Sequence, residues 1–299
     1  MHQPVLLKEV LEYFKPKPGQ NFIDCTIGLT GHTLPIAERI LPSGKVLGIE
    51  LDKQVIKKIR PIVARQKNII LKQGNYVHLK KIVEEISFQP VNGILFDLGM
   101  SSWQIEKSGR GFSFQGDEPL SMSYRNQGLT AEEIINQWPI KKLIDIFKDY
   151  GQERYAARIA RRIDQVRRIQ PIKTTKQLVE IIKRARPIRP GRQKIHYATR
   201  VFQALRIAVN DELGNLRKAL PQALEILENE GRLAVISFHS LEDKIVKDFF
   251  RQLVRESSLY PGQGQKIKIL TKKPISPSQE EIISNPRSRS AKLRVALKQ

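Results

Sequence analysis

The segment from Asn21 to His32 constrains the fold more than any other part of the chain. A short apolar run ends in Asp24 and leads into a turn that contains Gly28 and Gly31, after which apolar residues recur at helical spacing. A strand, a glycine turn and a helix in this order begin a nucleotide-binding α/β sheet. Glycine would let a bound adenosine approach the backbone closely. The spacing differs from the Gly-x-Gly-x-x-Gly fingerprint, so no phosphate-binding loop is implied, and an ordinary tight turn stays open as an alternative.

A second apolar run, over residues 45–50, ends in the carboxylate of Glu50, 22 positions after Gly28. This interval is close to the spacing of about 20 residues at which a Rossmann-type sheet places an acid for ribose hydroxyls. An ionised carboxylate accepts several hydrogen bonds, which suits a ribose diol. Asp52 directly precedes a helical pattern and is interpreted instead as a helix N-cap.

Strand and helix patterns continue to alternate along the first hundred residues. Further strands are predicted over 68–72, 91–97 and 232–238, with candidate final strands over 266–270 and 292–297. The alternation predicts an α/β fold with a doubly wound, mainly parallel, Rossmann-like sheet. Ligands of such sheets bind beyond the carboxyl ends of the strands. Asp24, Glu50, Asn75 with Tyr76, and Asp97 all fall at those ends, which predicts a cofactor cleft.

The region 105–200 is helical in pattern and strongly basic. Residues 151–200 contain fifteen lysines and arginines and three acidic residues, which is more than half of the net charge of +22 carried by the chain. We therefore predict two domains: a sheet domain formed by 1–104 and 201–299, and an inserted basic helical domain over 105–200 with an exit loop at 187–192. Such charge indicates a polyanionic partner. Nucleic acid is favoured over a membrane because the basic stretch lacks an apolar face rich in Trp or Phe.

Several classes of protein are disfavoured by the sequence. The single cysteine, Cys25, excludes an internal disulfide and a cysteine-cluster metal site, so no metal is expected. No apolar run approaches the roughly 20 residues of a membrane helix. The first residues lack the basic start and cleavage site of a signal peptide. A cytoplasmic location without membrane binding is therefore the expectation.

The strand-end residues favour S-adenosylmethionine (SAM) over a dinucleotide. The adenosyl cofactor has no phosphate, which fits the absent phosphate fingerprint. Asp24 or Asp97 could offset the positive charge of its sulfonium group. Tyr76 could pack on adenine, or could equally be an aromatic residue of the core or rim.

Motifs distributed over nearly the whole chain resemble one known family. It is the bacterial 16S rRNA (cytosine N4)-methyltransferase family, known as RsmH or MraW. The matching segments are His2-Gln-Pro-Val-Leu-Leu, Asp24-Cys-Thr-Ile-Gly-Leu-Thr-Gly-His, Asp97-Leu-Gly-Met-Ser-Ser-Trp-Gln, Arg110-Gly-Phe-Ser-Phe, Ala198-Thr-Arg-Val-Phe-Gln-Ala-Leu-Arg-Ile, Val235-Ile-Ser-Phe-His-Ser-Leu-Glu-Asp, Lys272-Lys-Pro-Ile and Asn285-Pro-Arg-Ser-Arg-Ser-Ala-Lys-Leu-Arg.

The resemblance implies a SAM-dependent enzyme that methylates the exocyclic N4 amine of a decoding-centre cytidine in 16S rRNA of the small ribosomal subunit. It also implies the residues that bind the cofactor: Thr30, Gly31, His32, Glu50, Tyr76, Asp97 and Gln104. The sheet domain would then be the methyltransferase domain and the insertion the RNA-substrate domain. Two alternatives remain open: a non-catalytic SAM-binding ribosome assembly factor, and a DNA amino-methyltransferase, which should show an Asp/Asn-Pro-Pro-aromatic motif.

The residues also bear on mechanism. Methylation at cytosine C5 uses a cysteine nucleophile, whereas Cys25 is interpreted as a core residue. An exocyclic amine needs alignment with the methyl group and an acceptor for its proton, for which Asp97 and Ser101 are candidates. His239 could bind the base or a phosphate, or could be an ordinary loop histidine.

The segment after Asp97 contains two candidate substrate contacts and one stretch that differs from the usual sequence of the family. Arg110 and Phe112 offer a cation and an aromatic ring for RNA backbone contact and base stacking. The family usually reads Asp-Gly-Pro-Leu-Asp-Met-Arg after this motif, whereas this chain reads Asp-Glu-Pro-Leu-Ser-Met-Ser from position 117. Ser121 and Ser123 thus replace an acid and an arginine, on the side of the substrate.

Overall fold

The alternation expected from the sequence is present in the computed structural model, which describes residues 3–125, 127–186, 196–259 and 265–299. The strands in these ranges are β1 (Phe22–Asp24), β2 (Val46–Glu50), β3 (Ile69–Gln73), β4 (Gly93–Leu98), β5 (Arg232–Ser237), β6 (Ile267–Ile269) and β7 (Lys292–Lys298). The α-helices are α1 (Leu7–Phe14), α2 (Thr33–Arg39), α3 (Lys53–Val63), α4 (Leu79–Glu85), α5 (Ser102–Lys107), α6 (Ala131–Gln137), α7 (Ile140–Asp149), α8 (Ala156–Arg167), α9 (Thr175–Ala185), α10 (Thr199–Asn210), α11 (Glu212–Ile226), α12 (Ser240–Leu259) and α13 (Gln279–Ser284).

The described strands form one seven-stranded sheet in the order β3-β2-β1-β4-β5-β7-β6. The first five strands pair in parallel, and β7 pairs antiparallel with both β5 and β6. β1, β2 and β4 are buried along nearly their whole length, because helices cover both faces of a doubly wound sheet. The predicted α/β fold with a mainly parallel, Rossmann-like sheet is confirmed.

The chain divides into two compact units, which we treat separately. The sheet unit comprises Met1–Gly99 and Leu213–Gln299, and the helical unit comprises Met100–Glu212. The helical unit thus includes α10, whereas the sequence assigned residues from 201 onward to the sheet domain. The unit ends one residue after Asp211, whose left-handed φ of 48° separates α10 from α11 although the helical pattern of the sequence continues through this position. The roles predicted for the two domains stay predictions.

The core of the helical unit is built from the apolar stripes of its helices. α7 buries Leu143, Ile146 and Phe147, and α9 begins at Thr175 because Thr174 and Gln177 form a capping box. The predicted exit loop at 187–192 lies outside the described residues. Within the described part of the chain, no helix is both long and apolar enough to cross a membrane.

Candidate cofactor-binding site

Acidic side chains end three neighbouring strands of the sheet unit. Asp24 is the last residue of β1, Glu50 is the last residue of β2, and Asp97 is the penultimate residue of β4. β1 pairs in parallel with both β2 and β4, so these carboxyl ends share one edge of the sheet. This edge is where a doubly wound sheet binds its ligand.

In the turn after β1, backbone conformation and contacts within the chain explain why Gly28 and Gly31 are glycines. Gly28 has a left-handed φ of 49°, which favours glycine, and Thr30 adopts a φ of 69° with its N–H donated to the Ile27 carbonyl at 2.8 Å. A Cβ on Gly31 would lie 2.9 Å from Cβ of Pro4. The sequence-based reason, close approach of an adenosine, is therefore not needed to explain either glycine.

His32 connects this turn to β4. Its Nε2 donates to the Val5 carbonyl at 2.9 Å, and its Nδ1 lies 3.6 Å from Oδ2 of Asp97. The ring is buried at the start of α2. Asp24 is also buried and accepts the hydroxyl of Thr33 at 2.6 Å, so it stabilises the same helix start. His32 and Asp24 therefore hold the rim of the cleft in place.

Glu50 is held by backbone groups around its carboxylate. Burial raises its pKa from 4.5 to about 7, and hydrogen bonds from the backbone N–H groups of Asp52, Gly28 and Leu51 oppose that rise. The bond from the Asp52 N–H is 2.9 Å long. The Asp52 carboxylate itself accepts the N–H of Gln54 at 2.9 Å at the start of α3, which confirms its interpretation as an N-cap.

The carboxylate of Asp97 has the feature that most clearly fits a ligand-binding group. Its Oδ1 is buried and has no hydrogen-bond partner among the described residues. Burial raises its pKa to about 6; the charge of His32 lowers it, and the carboxylates of Asp24 and Glu242 raise it further. A buried carboxylate oxygen without a partner is costly, so a ligand that donates a hydrogen bond or carries positive charge would be stabilised here. SAM or an amine substrate meets this requirement.

The loop after β3 offers a second buried polar atom. Asn75 Oδ1 accepts the Val77 N–H at 3.0 Å, while its Nδ2 is buried without a partner in the described part of the chain. The sequence predicted a strand-end position for Asn75 but no separate binding role. Its position directly before Tyr76 was the signal that could have indicated such a role. Tyr76 is half-buried and meets Phe96 edge-on, with ring centroids 5.5 Å apart. Its predicted contact with adenine stays a prediction.

His239 is fixed at the start of α12 by Glu242, which the sequence reasoning did not select. The Glu242 carboxylate accepts the N–H groups of Phe238 at 2.8 Å and His239 at 3.2 Å, and His239 Nδ1 accepts the Glu242 N–H at 3.4 Å. His239 Nε2 lies 3.1 Å from Glu242 Oε1, outside hydrogen-bond geometry. The sequence signal that could have identified Glu242 is its position three residues after His239, which is the spacing of a capping box.

Ser101 and Gln104 belong to the helical unit and begin α5. The Ser101 hydroxyl oxygen accepts the Gln104 N–H at 3.2 Å, and Gln104 Oε1 accepts the Ser101 N–H at 3.0 Å. This capping box gives both side chains a structural role that the sequence analysis missed. Their predicted catalytic and cofactor-binding roles stay predictions.

Arg110 and Phe112 are both buried in the helical unit, at 6% and 7% exposure. Arg110 donates to the carbonyls of Ser123 at 3.1 Å and Tyr124 at 3.3 Å, and its guanidinium lies 5.3 Å from the centroid of Phe112. Phe112 in turn stacks on Tyr124. These contacts stabilise the core of the unit, and contact of either residue with RNA stays a prediction.

The comparison with known proteins agrees with the motifs. The family model described as the MraW methylase family matches residues 1–299. A ribosomal RNA small subunit methyltransferase H from Halothermothrix orenii is 45% identical, covering 99% of this chain and 97% of the relative. Its counterpart from Syntrophotalea carbinolica is 44% identical, covering 98% and 96%. The fold, the acidic strand ends and this match over the full sequence together show that the chain belongs to the MraW methylase family of SAM-dependent methyltransferases.

Proposed function

We propose that this chain transfers a methyl group from SAM to the exocyclic N4 amine of a decoding-centre cytidine in 16S rRNA of the small ribosomal subunit. The observation that carries the proposal is the buried, unpartnered Oδ1 of Asp97 at the strand-end edge. The names of the relatives, ribosomal RNA small subunit methyltransferases, support RNA as the substrate. The basic helical unit supplies charge of the right sign for RNA.

SAM supplies an electrophilic methyl group on a sulfonium. Glu50 would accept the hydroxyls of its ribose, and Thr30, Gly31 and His32 would line the neighbouring turn. Asp97 would accept an N–H of the cytosine amine through Oδ1 while Oδ2 faces His32. A carboxylate whose pKa is raised to about 6 is a better proton acceptor than an ordinary aspartate.

The test is methyl transfer to small subunits from a strain that lacks this enzyme. The subunits are incubated with labelled SAM, and the RNA is digested to nucleosides. Label in N4-methylcytidine from one decoding-centre position is expected. Asp97→Asn should slow transfer by about 10²–10⁴-fold, the range of a general acid–base contribution, whereas Ser101→Ala should retain it.

Two results would contradict the proposed reaction, and a third would contradict the role proposed for Asp97. SAM binding without transfer to RNA would favour a ribosome assembly factor that does not catalyse methylation. Label in DNA instead of RNA would favour a DNA amino-methyltransferase. If Ser101→Ala rather than Asp97→Asn abolishes transfer, the acceptor is Ser101.

A further inference from the structure

A groove lies at the edge of the sheet unit, between α12 and β6. We call it the α12–β6 groove; its volume is about 450 Å³, and Lys247, Arg251, Val254, Lys268 and Lys272 are among its lining residues. β6 is the edge strand, three strand positions from β4 in the sheet order. At about 4.8 Å per strand, this is roughly 14 Å from β4, so the groove is separate from the strand ends described above.

The groove is positively charged, and none of the described residues that line it is acidic. Arg251, Lys268 and Lys272 are exposed and have no acidic partner within ion-pair distance in the described ranges. Residues 260–264, which lie outside those ranges, include no Asp or Glu in the sequence. Arg294 differs, because it is buried and bonded to Asp243 at 2.7 Å, and it therefore supports the floor of the groove.

The cations on α12 form a row. Lys244, Lys247, Arg251 and Arg255 are spaced by three, four and four residues, which places them on one face of the helix. At 1.5 Å per residue the row is about 16 Å long. This is roughly the axial length of five stacked nucleotides at about 3.4 Å each on one strand.

From the charge, the row and the groove together, we infer that the α12–β6 groove binds the phosphate backbone of RNA as a contact surface of the sheet unit itself. A positively charged groove that follows the backbone is the usual basis of sequence-independent binding to a nucleic-acid strand. RNA fits better than an anionic membrane, because the apolar lining residues Phe250, Ile267 and Ile269 are buried or half-buried. Val254 is the one exposed apolar residue among the described residues of the lining, and it is too little to anchor a membrane. The inference rests on the proposed function only in taking RNA as the polyanion.

The test measures the salt dependence of binding to deproteinised small-subunit rRNA. The groove variant combines Lys247→Glu, Arg251→Glu, Lys268→Glu and Lys272→Glu. Each contact between a cation and one phosphate contributes about 0.7 to the slope of log affinity against log salt for a single strand. If each of the four cations neutralises one phosphate, the slope should become shallower by about 3. SAM binding should be unchanged and reports that the variant is folded.

The matched control carries the same change of charge on another exposed surface of the sheet unit: Lys57→Glu, Arg60→Glu, Arg65→Glu and Lys67→Glu, in and after α3. Its slope should stay near that of the parent protein. If the groove variant loses SAM binding, the same four positions changed to Gln are measured instead, and the same reduction of slope is expected.

Equal slopes for the groove and control variants would overturn the inference. A groove variant that binds naked rRNA normally but loses affinity for intact small subunits would also overturn it, in favour of an acidic protein partner. Because the readout is binding rather than methylation, a reduced slope without any methyl transfer would support the groove and contradict only the proposed function.

Discussion

Replacement of Glu50 by glutamine should stabilise the protein without SAM and weaken its affinity for SAM. The pKa of Glu50 rises from 4.5 to about 7 in the folded chain, because burial disfavours the charged form. At 1.36 kcal/mol for each pKa unit, this rise corresponds to about 3 kcal/mol of destabilisation once the carboxyl is ionised. Glutamine keeps an oxygen that can accept the Asp52 N–H and carries no charge.

The sign follows from proton linkage. The folded chain holds the Glu50 proton more tightly than the unfolded chain, so its contribution to stability is fully present below pH 4.5 and is lost as the pH rises through about 7. The free energy of unfolding of Glu50→Gln should therefore equal that of the parent near pH 4.5 and exceed it by about 3 kcal/mol above pH 7.

Urea denaturation from pH 4.5 to 8.5, without SAM, measures this difference. Calorimetry at pH 8 measures the second effect, a loss of SAM affinity of about 1–3 kcal/mol, or roughly 5- to 150-fold, from lost hydrogen bonding to the ribose. Asp52→Asn is the matched control, because asparagine also caps helices well. Parallel pH curves for the parent and Glu50→Gln, or unchanged SAM affinity, would refute the reasoning.

Four further predictions concern the helical unit. Arg158→Glu with Arg161→Glu, both on the exposed face of α8, should reduce the salt slope of rRNA binding by about 1–2 while SAM affinity stays unchanged. Arg167→Glu should instead lower the melting temperature, because this guanidinium donates to two backbone carbonyls near the end of α6; an unchanged melting temperature would contradict this. Ser101→Ala should cost about 1 kcal/mol of stability in urea denaturation, the usual value of an N-cap. Ser121→Asp should change the rate of methyl transfer by less than about tenfold; a gain of 10² or more would show that the missing acid matters for catalysis.

The site residues were foreseeable where one local pattern carried them. The strand-end position of Glu50 was predicted by the apolar run that precedes it, whereas its contact with the ribose stays a prediction. The N-cap role of Asp52 was predicted by the helical pattern that follows it and is confirmed. The roles of Ser101 and Glu242 were missed, although each has its capping partner three residues away. A catalytic role was predicted for Ser101 and no role for Glu242, whereas both polar side chains satisfy otherwise unpaired N–H groups at a helix start.

The sequence by itself determined the alternation of strands and helices, and with it the parallel sheet and the edge at which its acidic residues lie. These features follow from apolar periodicity and from the right-handed connection of parallel strands, which are local properties of the chain. The strand-end position of Asp97, for example, was predicted from the apolar run that precedes it.

Only the tertiary structure decided which polar groups are buried and what each one meets. The unpartnered oxygen of Asp97, the clash that a side chain at Gly31 would make with Pro4, and the burial of Arg110 all depend on residues distant in sequence or on the way a unit packs. Desolvation and close packing are set by every neighbour in space, so no local pattern contains them.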